Sequence, residues 1–244
     1  MPNSPFLEAK DLHLKKRLDS TSFTMNKGEV LALCGGNGAG KTSLFSILTG
    51  MIRPDRGALE MNGQPVKNQS MAYRKSFSYM PDRMLFPSYL TGLEVLYFYG
   101  TMIDSNEEEV EYWLKKVGLY EVRHKRIKEY SKGMQQRLNM VQAFLGDPEW
   151  VMMDEPTNGL DPYWIYQAKQ WIKEEKEKGK TILFSTHTLS MVEEVADTLI
   201  FLQNGSILIK ETIPSIKAKL ENGETLEDYI YRSIESLYTM ETKP

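Results

Sequence analysis

Short apolar runs alternate with segments whose apolar residues recur at helical spacing over most of the chain. The runs at 29–34, 150–153 and 181–185 are short and nearly continuous, which is typical of strands buried on both faces. Segments with helical character follow each run, the clearest at 44–49 and 162–178. Strands that alternate with helices in this way predict an α/β fold with a mostly parallel central sheet.

The first part of the chain carries a different pattern. Residues 6–12, 22–25 and 58–61 are strand-like and lie close together in sequence, so an N-terminal antiparallel β subdomain is expected. The turn at 26–28 is predicted to lead, hairpin-like, into the strand at 29–34. Asn62-Gly63 indicates a tight turn.

The middle of the chain is helical. Helices are predicted at 90–99, from a capping Ser105 to Val117, and from Ser131 to Leu145. They indicate a helical subdomain inserted into the α/β domain. The expected organisation is a single domain with an α/β core (1–82 and 148–212), an inserted helical subdomain (about 83–147) and a helical tail (213–244).

The tail has one apolar stripe. Leu226, Tyr229, Ile230, Ile234 and Leu237 recur at helical spacing. Such a helix either docks on its own domain or faces a partner or a second copy, and the sequence leaves both open.

Composition narrows the class of protein. The chain has 244 residues, is 41% hydrophobic and 26% charged, and has a net charge of −3. This charge gives no basic footprint, so no nucleic-acid partner is expected. The single Cys34 excludes an intrachain disulfide and suits a reducing compartment. No apolar run approaches the roughly 20 residues that span a bilayer, so any membrane role is expected to come through a partner.

The segment at 35–42 has the form G-x-x-x-x-G-K-T between a predicted strand and a predicted helix, which is the context of a P-loop. Glycines let backbone N–H groups approach phosphate oxygens, and the helix N-terminus adds positive charge. Lys41 supplies a full charge, and the Thr42 hydroxyl is a candidate Mg²⁺ ligand. The predicted phosphate-binding residues are Gly35, Gly36, Asn37, Gly38, Ala39, Gly40, Lys41, Thr42 and Ser43.

Two further features follow predicted strands. Asp154-Glu155 ends the run at 150–153, as in a Walker B element: Asp154 is expected to hold Mg²⁺, and Glu155 to polarise the water that attacks the γ-phosphate. His187 follows the run at 181–185. Because ligands bind at the carboxyl ends of parallel strands, these features and the P-loop are expected at one edge of the sheet.

With these elements in place, the chain resembles the nucleotide-binding subunits of ABC transporters, which are P-loop NTPases, from residue 6 to residue 209. Besides the P-loop, the resemblance rests on Tyr79-Met80-Pro81-Asp82 (the Q-loop), the family signature at 130–138, the Walker B and D-loop segment at 153–161, and Ser185-Thr186-His187 (the H-loop). It implies an ATPase that uses ATP and Mg²⁺.

The resemblance also implies a head-to-tail dimer that encloses two ATP molecules. Ser131 and the Gly133 backbone match family positions that touch the γ-phosphate bound by the other subunit. His187 would contact the γ-phosphate as a sensor or a stabiliser of the transition state. Lys41 and Glu155 would complete the catalytic set. Asp161 would communicate across the dimer, although capping a helix explains it equally well.

The sequence departs from the family pattern at three places. Asp82 stands where the family usually has Gln; it can still face Mg²⁺ through an oxygen, but it is shorter and charged. The signature reads Ser-Lys-Gly-Met where the family has Ser-Gly-Gly-Gln. Ser131 and Gly133 are retained, and Lys132 occupies the more tolerant position. Residues 12–22 lack an aromatic ring to stack on adenine; His13, Lys16 or Arg17 remain candidates, and weak base selectivity is expected.

The favoured interpretation is therefore the ATPase subunit of an ABC transporter, peripheral on the cytoplasmic face of the membrane. Its expected partners are a separate transmembrane permease and a second nucleotide-binding subunit, in a homodimer or a heterodimer, with a lean towards export. The alternative is a soluble ABC-type ATPase that acts in assembly or regulation without a transported substrate. One apolar run is either core or the permease contact: Met84, Leu85, Phe86, Tyr89, Leu90, Tyr97 and Phe98.

Overall fold

The computed structural model describes residues 4–67, 70–221 and 223–241, with the side chains of 236–241 left undescribed. The chain forms two compact units, one of Met1–Ser70 with Leu183–Pro244 and one of Met71–Ile182. The elements are β1 (Leu7–Leu14), β2 (Leu18–Met25), β3 (Val30–Cys34), α1 (Lys41–Leu48), β4 (Arg56–Met61), β5 (Gln64–Pro65), α2 (Met71–Lys75), β6 (Phe77–Met80), α3 (Gly92–Met102), α4 (Glu107–Lys116), α5 (Lys132–Phe144), β7 (Trp150–Met153), α6 (Pro162–Glu177), β8 (Thr181–Ser185), α7 (Leu189–Val195), β9 (Thr198–Gln203), β10 (Ser206–Thr212), α8 (Ile213–Lys219) and α9 (Leu226–Glu241).

The first unit contains an antiparallel sheet with the strand order β2-β1-β4-β5. Buried and exposed positions largely alternate along β2, so one face of this strand packs inward. Asn62 and Gly63 both have positive φ values and connect β4 to β5, as expected for a two-residue hairpin turn. The predicted N-terminal antiparallel sheet is confirmed.

The P-loop strand belongs to the other sheet of this unit. All of β3 is buried, and it pairs in parallel with β9, while β10 returns antiparallel beside β9. The predicted hairpin-like entry into this strand is therefore wrong, because β2 pairs with β1. The turn at 26–28 moves the chain between sheets, and the partner of β3 comes from a distant part of the sequence.

Helix α9 docks on its own unit. Leu226, Tyr229 and Ile230 are 3%, 8% and 3% exposed, and the Tyr229 hydroxyl donates to Glu211 Oε1 at 2.7 Å. These contacts support the first of the two interpretations of the apolar stripe. Leu237 lies outside the described side chains.

The second unit joins β6 and β7, which pair in parallel, to most of the helices. Ser131 and Asp161 are the N-caps of α5 and α6, as predicted, and Pro162 opens α6. The predicted cap at Ser105 is wrong. Asn106 caps α4 and accepts from the Glu109 N–H at 2.8 Å, because the Ser105 hydroxyl instead donates to the Glu109 carboxylate.

Together the two units confirm the predicted fold class, an antiparallel sheet and a mostly parallel mixed sheet with helices. Within the described part of the chain, no helix is both long enough and apolar enough to cross a membrane.

Candidate functional site

The loop between β3 and α1 needs glycine at its first and last glycine positions. Gly35 has a φ of +147°, and a Cβ there would lie 2.3 Å from the Leu202 carbonyl oxygen. Gly40 has a φ of +111°, and its Cβ would lie 2.9 Å from the Arg17 carbonyl oxygen. The loop backbone thus runs against its neighbours more closely than any side chain permits.

The other side of the loop is open. A Cβ on Gly36 or Gly38 would meet no atom within 4 Å, and both residues are exposed together with Asn37. Lys41 is 9% exposed, and its ammonium donates to the Gly35 and Gly36 carbonyl oxygens at 2.7 Å and 3.3 Å. The cation is therefore held inside the curve of the loop. This cradle fits a phosphate group.

The next two residues begin α1. Thr42 is exposed and Ser43 is half-buried, so both lie at the amino end of a helix, which favours anions. Ala39 is buried, and its N–H donates to the Gly36 carbonyl at 3.1 Å, which closes the turn of the loop.

Two adjacent glycines give a matched test of this geometry. We expect Gly35→Ala to lower the free energy of unfolding by about 2–4 kcal/mol, because the new methyl group overlaps a carbonyl oxygen at a strained φ. Gly36→Ala, which places a methyl group in open space, should change it by less than about 1 kcal/mol. Urea unfolding without nucleotide measures both. Equal effects would contradict the described loop.

His187 lies in the same unit as the loop. It follows β8, is exposed, and lines a cavity of about 250 Å³ together with Gly35 and Gly36. Glu227 and Tyr231 of α9 line the same cavity. The predicted histidine and the first residues of the P-loop thus line the same cavity. No local sequence pattern indicates that α9 borders them.

Asp154 and Glu155 follow β7 in the second unit. Asp154 is 2% exposed, and its N–H donates to the Met80 carbonyl at 2.8 Å. Glu155 has a φ of 50°, which is unusual for a residue other than glycine, and its carbonyl accepts from the Gln136 amide at 3.0 Å. Such strain is concentrated at functional sites. Gln136 lies within the signature at 130–138, but the sequence assigned it no separate role, because nothing in its local pattern shows that its amide contacts the Glu155 carbonyl.

Asp154 and Asp82, which were both predicted as metal ligands, lie in this unit and influence the same side chain, that of Tyr79. The pKa of Tyr79 is raised first by burial of its hydroxyl, and then by the negative charges of Asp154 and Asp82. Both carboxylates therefore lie within electrostatic reach of the end of β6.

The signature residues form the amino end of α5. The Ser131 hydroxyl accepts from the Met134 N–H at 3.2 Å, and both Ser131 and Lys132 are exposed. A Cβ on Gly133 would lie 3.1 Å from the Gly159 carbonyl oxygen, so the helix start packs closely against the segment after Pro156. A capped helix start with exposed residues suits an anion.

Asp82 and Asp161 take part in local hydrogen bonds. The Asp82 carboxylate accepts from the side chain of Asn158 at 2.7 Å, a residue that the sequence analysis did not single out. Asp161 accepts from the Trp164 N–H at 3.0 Å and so caps α6, which is the structural role expected of it.

The donor atoms suit magnesium. Mg²⁺ takes oxygen ligands and usually keeps several waters and substrate phosphates, so one hydroxyl and one carboxylate are a sufficient protein contribution. Thr42 in the first unit and Asp154 in the second unit each carry an oxygen of this kind. The described residues contain no cluster of three or more His, Cys, Asp or Glu side chains that could hold a metal.

The turn between β1 and β2 lies beside the P-loop. The Arg17 carbonyl approaches both Gly40 and Gly205, and the His13 ring nitrogen lies 3.4 Å from Asp19. This places Arg17, one of the candidates for contact with a nucleotide base, near the loop through its backbone.

Comparisons with known proteins agree with this geometry. The family model described as ABC transporter matches residues 18–158. The chain is 35% identical over 86% of its length to an uncharacterized ABC transporter ATP-binding protein of Synechocystis, of which it spans 60%. It is 32% identical over 89% of its length to the lantibiotic transport ATP-binding protein SrtF of Streptococcus pyogenes, of which it spans 90%.

A solved structure described as the ATP binding subunit of an ABC transporter has a TM-score of 0.84 and 32% identity, covering 94% of this chain and 99% of the other. The resemblance stated from the sequence motifs is confirmed at the level of the family. The P-loop cradle, the family match and the shared fold lead to one conclusion: the chain belongs to the ABC transporter family, among its ATP-binding proteins.

Proposed function

We propose that this protein binds and hydrolyses ATP and so drives transport by a separate membrane subunit. The observation that carries the proposal is the P-loop cradle, where the Lys41 ammonium lies across two glycine carbonyls beside an open surface. An ammonium group held at this position supplies positive charge where the β- and γ-phosphate oxygens of a nucleotide would bind. Chains that match this one along most of their length are described as transport ATP-binding proteins.

The proposed roles follow from the chemistry of each group. Backbone N–H groups of 35–43 and the Lys41 ammonium bind the phosphates. Thr42 and Asp154 would hold Mg²⁺, which neutralises phosphate charge when bound. Asp82 was a third candidate ligand, but its Oδ1 accepts from the Asn158 amide at 2.7 Å, so we assign it a positioning role instead. Glu155 accepts a proton from the attacking water, and His187 stabilises charge on the γ-phosphate.

We propose that the site is completed by a second subunit. Ser131 and Gly133 lie at a helix start that suits an anion, and the same chain carries the P-loop cradle. Since one sequence holds both halves of a composite site, two copies suffice for the chemistry. We therefore infer a homodimer, with a heterodimer as the alternative. A lone copy is expected to be a poor ATPase.

The permease contact is proposed on the apolar run that the sequence left open between core and interface. Leu85, Tyr89 and Phe98 are 93%, 71% and 58% exposed, whereas Phe86 is 8% exposed. Exposed apolar side chains close together in sequence favour a protein interface. Phe86 packs edge-on against Tyr99, and the Tyr99 ring in turn contacts the ring of Phe98.

If the apolar run contacts the permease, removing its exposed apolar side chains should weaken assembly with the permease and leave ATP turnover unchanged. We expect Leu85→Ser with Phe98→Ser to reduce co-purification with a membrane protein from detergent extracts by at least about fivefold, because the apolar area that would be buried is removed. Turnover by the isolated chain should stay within about twofold, since exposed substitutions are near neutral.

Met71→Ser is the matched control, because Met71 is 68% exposed but lies outside the run. Retention of the membrane protein by the double variant would contradict the proposed surface. Recovery of soluble partners alone with the unaltered chain would favour the rival function, an ATPase of assembly or regulation.

We place the protein on the cytoplasmic face of the membrane, bound through the permease, where ATP is available. The lean towards export rests on the Ser-Lys-Gly-Met signature and the Leu-Glu-Asp segment that opens α9. The substrate is determined by the permease, because the proposed site of this chain binds nucleotide.

A further inference from the structure

The two residues that depart from the family pattern in the Q-loop and the signature are joined by a third side chain. Asn158 donates from its amide nitrogen to Asp82 Oδ1 at 2.7 Å. Its amide oxygen accepts from the Lys132 ammonium at 3.2 Å. An asparagine amide has a donor end and an acceptor end, so a carboxylate on one side and an ammonium on the other determine its orientation.

The backbone holds Asn158 at this crossing point. Its N–H donates to the Glu155 carbonyl at 3.0 Å, so the residue sits in the turn that follows the proposed catalytic carboxylate. The Lys132 side chain runs across Gly159, the residue after Asn158. A Cβ on Gly159, whose φ is +78°, would lie 2.8 Å from Lys132 Cε. Glycine at 159 thus leaves the space through which the lysine reaches Asn158.

Charge gives a reason for the arrangement. Lys132 is the first residue of α5, where a cation opposes the helix dipole. Asp82 is half-buried, and within the described part of the chain its carboxylate has no cation at ion-pair distance. Asn158 connects the two charges through polarised hydrogen bonds, so each offsets the unfavourable position of the other.

We propose that Asp82, Asn158 and Lys132 form a relay that positions the amino end of α5 against the Asp82 segment and the turn after Glu155. Asn158 is the central positioning residue. Asp82 acts through it as a second positioning residue, and its aspartate is matched to the lysine at 132. The functional part of the inference rests on the proposed function, because the amino end of α5 is the proposed contact to phosphate in the dimer.

Exchanging the two chemical groups tests the relay. Asn158→Asp sets two carboxylates against each other, and we expect the equilibrium constant for unfolding to rise by about 5- to 50-fold. Adding Asp82→Asn lets the new amide donate to the new carboxylate, which in turn pairs with Lys132. The combined variant should return to within about threefold of the unaltered chain.

The first measurement is urea unfolding without nucleotide, so its outcome is independent of ATP hydrolysis. Asn106→Asp is the matched control, because aspartate caps a helix as well as asparagine does; it should leave the unfolding constant within about twofold. The relay is overturned if Asn158→Asp is as stable as the unaltered chain, or if adding Asp82→Asn brings no recovery.

The second measurement is ATP turnover, with kcat and KM determined separately. We expect Asn158→Asp to lower kcat by about 3- to 10-fold and to change KM by less than about twofold, because the P-loop that binds the nucleotide is untouched. The exchanged pair should restore kcat. If the combined variant recovers stability but not kcat, the positioning role is overturned. If the unaltered chain shows no turnover, only the proposed function is overturned.

Discussion

Glu155→Gln is expected to lower the ATP turnover number by about 10²- to 10⁴-fold, the range that a positioned general base contributes. The amide keeps the size of the carboxylate but cannot accept the proton of the attacking water. The backbone of Glu155 is held at a positive φ by its hydrogen bond from Gln136, so the substituted side chain should start from the same position. ATP binding should be retained.

Steady-state phosphate release measures this loss. Glu121→Gln is the matched control, an exposed glutamate in the same unit, and it should leave turnover unchanged within about twofold. If Glu155→Gln kept more than about a tenth of the turnover, the assignment of Glu155 as the base would be wrong.

Lys41→Ala has the second largest expected effect, a loss of nucleotide affinity of about 10- to 150-fold. The figure corresponds to the loss of about 1.5–3 kcal/mol for a hydrogen bond to a charged group. The Lys41 ammonium is already placed inside the curve of the loop by two carbonyl oxygens, so it needs little rearrangement to meet a phosphate.

Calorimetric titration with ATP and Mg²⁺ measures the affinity directly. Lys67→Ala serves as the control, since Lys67 is an exposed lysine of the same unit outside the loop. An affinity of Lys41→Ala within about twofold of the unaltered chain would show that the cradle is not the phosphate site.

Much of the fold could be predicted from local chemistry. The strands Trp150–Met153 and Thr181–Ser185 were predicted at their observed bounds, because short, nearly continuous apolar runs have few alternatives. The caps at Ser131 and Asp161 were also predicted, because Ser and Asp are preferred at helix N-caps. In each case the determining groups are neighbours in sequence.

The errors arose where the determining contact is remote or finely balanced. The hairpin expected at 26–28 is absent because β3 finds its parallel partner in β9, far along the chain. Ser105 lost the capping position to Asn106 because the Glu109 carboxylate attracts its hydroxyl. Neither competition is visible in local propensity.

The candidate site shows the same division. Sequence motifs singled out the P-loop, Asp154, Glu155 and His187 as candidates, since their proposed chemistry depends on fixed spacing to a strand end. Asn158 was not singled out, because it matters only through two side chains that lie 76 and 26 residues away. The two departures from the family pattern became interpretable once the structure showed what joins them.

The central claim is that the ATP site is completed by a second copy of this chain. Light-scattering mass measurement of Glu155→Gln, which should bind ATP without hydrolysing it, tests this most directly. We predict the mass of one copy without ATP and of two copies with ATP and Mg²⁺, and a return to one copy when Ser131→Arg blocks the amino end of α5. A mass of one copy at saturating ATP would contradict the account.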